Sequence, residues 1–264
     1  MPKSIGISSR ALPTPVSSGT QLAPRLSANG DLIVSPIMDG QSALADEGIY
    51  YKACTQSTSA SVGVMSCPAA GSTTEELFTS TSAVLAIINT SSSTRFTFDY
   101  IRLTVSSTPV AGATSQYVSY AITTNNYDRY NSGGALQANN SNQLSPVNCS
   151  TASSRRSAAN IYSGSTTSSL LLNAFTGDKL PLHARGQFKS NVGVAAPGFV
   201  VGDIYSLDFG DYSPQGTAYL TATARQYGRN TGPLILGPGH FMALHVWSMA
   251  GNAVFDVDMG WWER

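Results

Sequence analysis

At 264 residues the chain is long enough for one large all-β domain or two small ones, and a single domain of this size needs no staples to hold its core. Charged residues make up 11% of it, with 15 Lys and Arg against 15 Asp and Glu for a formal net charge of zero. That balance excludes a basic surface for a nucleic-acid backbone and a single-sign field for steering a charged ligand, and it favours life in an assembly.

Residues 1–45 read as an extended arm. Pro2, Pro13, Pro15, Pro24 and Pro36 interrupt any helix, and Ser and Gly fill the gaps. Only Asp31 to Ser35, after Asn29-Gly30, has the look of a short strand. Such a stretch has too little apolar surface to order itself, so it is expected to gain order only against the body or adjacent subunits. Pro13, Pro15, Leu22, Pro24 and Leu32 are its candidate contact residues. The opening MPKSIGISSRALPTP lacks the apolar run of a secretory signal, and no apolar stretch approaches the ~20 residues that cross a bilayer.

The body, residues 46–264, reads as many short strands joined by turns, with no amphipathic helix. Ile49 to Cys54 is the first strand, and residues 55–76 are small and polar. Val84 to Asn89 is a continuous apolar run, as in a central strand buried on both faces. Arg95 to Ser106 alternates, but its apolar set switches faces midway, which implies a bulge or a strand passing between sheets. Gln116 to Thr124 alternates as well.

Asn125 to Arg156 reads as one long polar loop, a feature that usually contacts a partner. Strands resume at Ser169 to Phe175, Lys179 to Lys189, Asp203 to Phe209 and Tyr219 to Ala224. The chain then ends on what reads as a packed hairpin, with Leu234-Ile235-Leu236, the Gly237-Pro238-Gly239 turn, His240 to Trp247, and Ala253 to Arg264. In the last stretch Phe255, Val257 and Met259 face one way and Asp256 and Asp258 the other. Ten to twelve such runs imply a β-sandwich, and their spacing with long loops favours a jelly roll. Trp261 and Trp262 are too large to leave bare, so they dock either into the body or against a neighbouring subunit.

Candidates for chemistry are few. His240 and His245 lie five apart, so on one strand they face opposite sides; one facing solvent and one hydrogen-bonded inside is the expectation. Asp203, Asp208 and Asp211 sit at strand ends, with a small calcium site at Asp208 and Asp211 as the alternative to plain solvation. Asp46-Glu47 and Glu75-Glu76 set up no glycosidase geometry, Asp99 and Arg102 suit cross-strand or interface pairing, and Arg155-Arg156 is an isolated basic doublet. No nucleophile elbow or phosphate loop is present. Cys54, Cys67 and Cys149 have no metal spacing and read as buried or half-buried thiols, with a Cys54–Cys67 bridge as the lesser alternative. No enzyme activity and no cofactor is expected.

Four segments carry a family resemblance: ALPTPVSSGTQLAPRLSANGDL (Ala11 to Leu32), LADEGIYYKA (Leu44 to Ala53), PLILGPGHFMALHVW (Pro233 to Trp247) and FDVDMGWWER (Phe255 to Arg264). FTFDYIRL, Phe96 to Leu103, joins them. Together they resemble tailed-bacteriophage virion structural proteins; residues 105–230 match in general character only. The resemblance implies a virion component assembled in the host cytoplasm. On this basis the chain is expected to be a capsid decoration or cement protein, a trimer bound to the major capsid protein, with Trp261 and Trp262 as candidate anchors at the shared axis. A tail, adaptor or fibre-type component presenting the long loop, with Tyr127 and Tyr130, is the alternative. A carbohydrate-binding module is the third.

Overall fold

The computed structural model describes residues 44–55, 65–66, 82–107, 117–126, 143–163, 170–171, 182–190, 200–210, 226–247 and 253–264. The chain divides into two compact units, Met1–Ala43 and Leu44–Arg264. The first lies outside the described residues, as do the strand expected at Asp31 to Ser35 and the one at Tyr219 to Ala224.

The described residues of the second unit form sixteen strands and a single helical turn at 44–46. In chain order they are β1 (Tyr50–Cys54), β2 (Met65–Ser66), β3 (Ser82–Ala83), β4 (Leu85–Asn89), β5 (Phe96–Ser107), β6 (Tyr117–Asn126), β7 (Gln143–Leu144) and β8 (Val147–Asn148). Then come β9 (Ala159–Ser163), β10 (Leu170–Leu171), β11 (Leu182–Ser190), β12 (Ile204–Phe209), β13 (Gln226–Thr231), β14 (Ile235–Leu236), β15 (His240–Trp247) and β16 (Val254–Glu263). Sheet one runs β13-β12-β5-β16-β1-β8, with β14 also on β5 and β2 also on β16; sheet two runs β11-β6-β15-β4-β9-β7. The small pair β10-β3 stands apart. The two sheets pack into the β-sandwich that strand alternation implied.

Eight strands carry the architecture, and their pairing is nested. β1 pairs β16, β4 pairs β15, β5 pairs β12 and β6 pairs β11, all antiparallel. Two further antiparallel pairings, β16 with β5 and β15 with β6, knit these pairs into sheets. The chain thus crosses between sheets at β1→β4→β5→β6, turns back, and crosses again at β11→β12→β15→β16.

Contrary to expectation, the closing segments do not form a hairpin. β14 and β16 belong to sheet one and β15 to sheet two, so the chain changes sheet between β14 and β15 and again between β15 and β16. The long loop is corrected as well: β7 and β8 fall within Asn125 to Arg156, and β9 lies between it and the strand expected at Ser169.

Between the sheets lies a single apolar cluster that includes Leu85, Ile87, Val118, Ile122, Leu244 and Val246 from sheet two and Phe98, Ile101, Leu103, Val257 and Trp261 from sheet one. A file of rings crosses it: Tyr120 to Phe188 at 4.5 Å, Phe188 to Tyr205 at 5.2 Å, and Tyr205 edge-on to Phe255 at 6.4 Å. The first pair belongs to sheet two and the last to sheet one, so these contacts, worth roughly 0.5–1.5 kcal/mol each beyond burial, fasten the layers together. β4 is buried at every position, and β15 at every one but its first, so both faces of these strands are covered. That is why their sequences do not alternate in polarity.

In β5 the switch of faces is a bulge. Gly260 pairs with Tyr100 and Trp261 with Phe98, leaving Asp99 as the extra residue. Phe96 and Phe98 point into the core before it, and Ile101, Leu103 and Val105 after it.

Both lateral seams are closed. At one, Arg229 of β13 donates from Nε to the Gln187 carbonyl at 2.7 Å and from Nη2 to the Phe188 carbonyl at 3.0 Å, tying sheet one to β11. At the other, the chain passes from β7 in sheet two to β8 in sheet one through Ser145 and Pro146. Edge strands of two residues beside a proline are poor templates for pairing with another chain.

Candidate functional site

Three clusters of bonded polar side chains stand out among the described residues. The first is the outer face of sheet one. Gly260 has no side chain, and Tyr50 and Tyr100 lie over the space: a Cβ there would meet the Tyr50 hydroxyl and come within 2.8 Å of Tyr100 Cε1. Tyr50 donates to Asp99 Oδ2 at 2.7 Å, and Tyr100 donates to Asp258 at 3.2 Å. Arg102 sits 4.5 Å and Lys52 5.4 Å from the centre of the Tyr100 ring, contacts worth about 0.5–1 kcal/mol at exposed sites.

Burial first, then the hydrogen bond and charge of Asp99, hold the Tyr50 phenol neutral well above its ordinary range. Burial does the same for Tyr100, with Lys52 opposing and Asp258 reinforcing. The Lys52 ammonium is held charged beyond its usual range, mainly by its hydrogen bond with Tyr100. Asp99 and Arg102, expected to serve cross-strand or interface pairing, thus bond within the face: Asp99 across it to β1, Arg102 onto a ring of its own strand.

The second cluster closes the end where β4 turns into β5. Asn89 is fully buried. Its amide donates to the carbonyls of Thr94 (2.7 Å), Leu236 (3.2 Å) and Gly237 (3.0 Å), and its Oδ1 accepts from the Ser91 amide. Gly239, at φ 68°, returns a main-chain bond to the Asn89 carbonyl. Beside this joint an open groove is lined by Thr124, Asn125, Pro233 and the exposed Ile235. His183, bonded to the Gly232 carbonyl at 3.2 Å, and His240, bonded to the Pro238 carbonyl at 2.9 Å, also line it. His183 is the extra residue of a bulge in β11.

The third cluster surrounds Glu263, which is 8% exposed. Its Oε1 accepts from the Trp261 indole at 2.9 Å and from the Ser157 hydroxyl, and its Oε2 accepts from the Ala158 amide at 3.2 Å. Glu263 is on β16 of sheet one, and Ser157 and Ala158 lead into β9 of sheet two.

Among the residues singled out from sequence, Pro13, Pro15, Leu22, Pro24 and Leu32 lie outside the described residues, as do Tyr127, Tyr130, Asp211, Cys67 and Glu75-Glu76. Trp261 is wholly buried and stacked on Tyr51 at 6.2 Å. Of the two tryptophans, only the half-buried Trp262 has surface to offer a neighbour. His245 is buried with Nε2 3.4 Å from Thr123 Oγ1, while His240 is exposed, the division that their odd spacing implied. Asp203 is buried and accepts from the Tyr205 hydroxyl, whereas Asp208 accepts from Ser206.

No group of three or more potential metal ligands occurs among the described residues. Glu47 forms an exposed ion pair with Arg264 at 3.5 Å, a contact of little energetic weight. Cys54 and Cys149 are free and exposed, where buried or half-buried thiols were expected, and desolvation by neighbouring atoms raises the Cys149 thiol above its ordinary range. Arg155 and Arg156 are exposed.

No family model matches the chain, and no match was found among curated proteins or among solved structures.

Proposed function

We propose that this chain is a structural component of a bacteriophage virion: a decoration or cement protein that binds the major capsid protein as a homotrimer and stabilises the shell. The observation that carries the reading is the nested pairing of β1 with β16, β4 with β15, β5 with β12 and β6 with β11. This wiring supports reading the body as a double-sheet jelly roll, an architecture that recurs in viral capsid domains and also in lectins and cupins. Fold alone does not define function. The near-neutral, weakly charged composition and the sequence resemblance of both ends of the body to virion proteins narrow the choice.

Polar groups on the outer face of sheet one bond largely to one another, which suits a protein that works by shape. In this reading the proline-rich first 45 residues, with Pro13, Pro15, Leu22, Pro24 and Leu32, grip the neighbouring capsid protein, and their ordering cost is met on assembly. Trp262 adds surface to the contact between copies.

Deletion of residues 1–40 tests this directly. The truncated protein should fold yet fail to bind particles; unchanged occupancy would overturn the reading. Quantitative gel analysis of intact particles separates locations, since copies in the hundreds fit the shell and only a handful would move the protein to the tail.

A further inference from the structure

We propose that Glu263 is an acid-sensitive latch between the two sheets. The carboxylate lies on the inward side of β16, in step with Trp261, and reaches the segment that enters β9. All three groups bonded to it are donors: the Trp261 indole N–H, the Ser157 hydroxyl and the Ala158 amide. Two of them, the indole and the amide, cannot reverse roles. A carboxylate satisfies this set completely. Once it takes up a proton, one oxygen becomes a donor, and at most the Ser157 hydroxyl can turn to accept from it.

Ser157 can do so only at a cost elsewhere: its Oγ already accepts from the Ala159 amide at 3.0 Å, and accepting from Glu263 as well turns its own proton away from the carboxylate it donated to. Other groups around the latch are Tyr51 on β1, whose phenol is pushed up by burial and then by the Glu263 charge, and Arg155 on the connecting segment, which opposes that shift. Glu47 and Arg264 pair with each other nearby on the surface. The joint spans the sheets: the same segment holds β4 through the Thr90 amide and hydroxyl, both bonded to the Ala158 carbonyl. Protonation of Glu263 therefore loosens the 157–159 segment from β16 and slackens one end of the sandwich.

Amide hydrogen exchange resolved at Ala158 and Ala159 tests the latch in the full chain. Wild type is compared with Glu263→Gln at each pH, so that the intrinsic pH dependence of exchange cancels in the ratio. At neutral pH the variant should exchange at least about 10-fold faster, and the ratio should fall toward one as the solution is acidified over the range in which both proteins stay folded. A ratio that stays constant across that range, or is one throughout, overturns the proposal. Should Glu263→Gln fail to fold, Ser157→Ala retains the carboxylate while removing one donor, and it is read at Ala158 alone, because the Ser157 Oγ itself accepts from the Ala159 amide. Its ratio to wild type should converge in the same way, and a flat ratio has the same negative meaning.

Discussion

The Asn89 side-chain amide donates to the Gly237 carbonyl at 3.0 Å, joining the last residue of β4 to the turn before β15. These positions are 148 residues apart in the chain. Two N–H donors reach three carbonyls at this joint, so one is shared. Asn89→Ala should cost about 3 kcal/mol, because buried carbonyls left unsatisfied cost roughly 1–3 kcal/mol each. Asn89→Asp should be worse, since it turns a carboxylate oxygen toward the same carbonyls. Urea unfolding of the three proteins checks the order; an aspartate variant as stable as wild type would refute it.

How much of this was legible in the sequence depends on the kind of signal. Alternation located β5, β6 and β16 to within two residues of their ends, because one buried face repeats every second residue. The apolar run at Leu85 to Asn89 likewise announced its burial. β7 and β8 are two residues each and hold no period, and β9 (ANIYS) hides its buried Ala159, Ile161 and Ser163 among small and polar letters. A turn such as Gly237-Pro238-Gly239 says that the chain reverses, not whether it re-pairs in the same sheet or crosses to the other. The joints at Asn89 and Glu263 assemble residues far apart in sequence, which one chain cannot reveal. Gly260 could have been found: a glycine inside a strand pattern marks a bulge or a close approach, and here it marks both.

Gly260 is accordingly a sensitive position on the outer face of sheet one. Gly260→Ala places a methyl against the Tyr50 hydroxyl and within 2.8 Å of Tyr100 Cε1. Overpacking of this kind should destabilise the protein by about 1–3 kcal/mol. Adding Tyr50→Phe removes one of the two obstructions, so the double variant should recover part of the loss. A double-mutant cycle with strictly additive costs would show that the two residues do not touch in solution.

The buried phenols make stability fall at high pH. Burial raises Tyr50, Tyr51, Tyr100 and Tyr120 above the ordinary value. The folded chain therefore keeps protons that the unfolded chain releases near pH 10. With more protons on the native state, unfolding free energy declines as pH rises. This contribution is full below about pH 10 and is lost as pH climbs from there through the raised folded values. Absorbance titration of phenolate should show several of the 12 tyrosines ionising late and together with unfolding. Titration of all of them near the ordinary value, with structure intact, would contradict it.

Trp261 separates two contributions that sequence alone could not distinguish, core volume and a donor for Glu263. Trp261→Ala removes a fully buried ring stacked on Tyr51 and should cost about 3–5 kcal/mol. Trp261→Phe keeps an aromatic in the cluster but deletes the indole N–H that bonds Glu263 at 2.9 Å. It should fall between wild type and alanine. The hydrogen bond to a charged group is worth roughly 1.5–3 kcal/mol, and the smaller ring leaves some void. Combining Trp261→Phe with Glu263→Gln tells the two apart: with the charge already gone, the phenylalanine should cost less than it does in wild type. Equal cost in both backgrounds would mean that Trp261 stabilises the fold by packing alone, and that its bond to Glu263 is energetically silent.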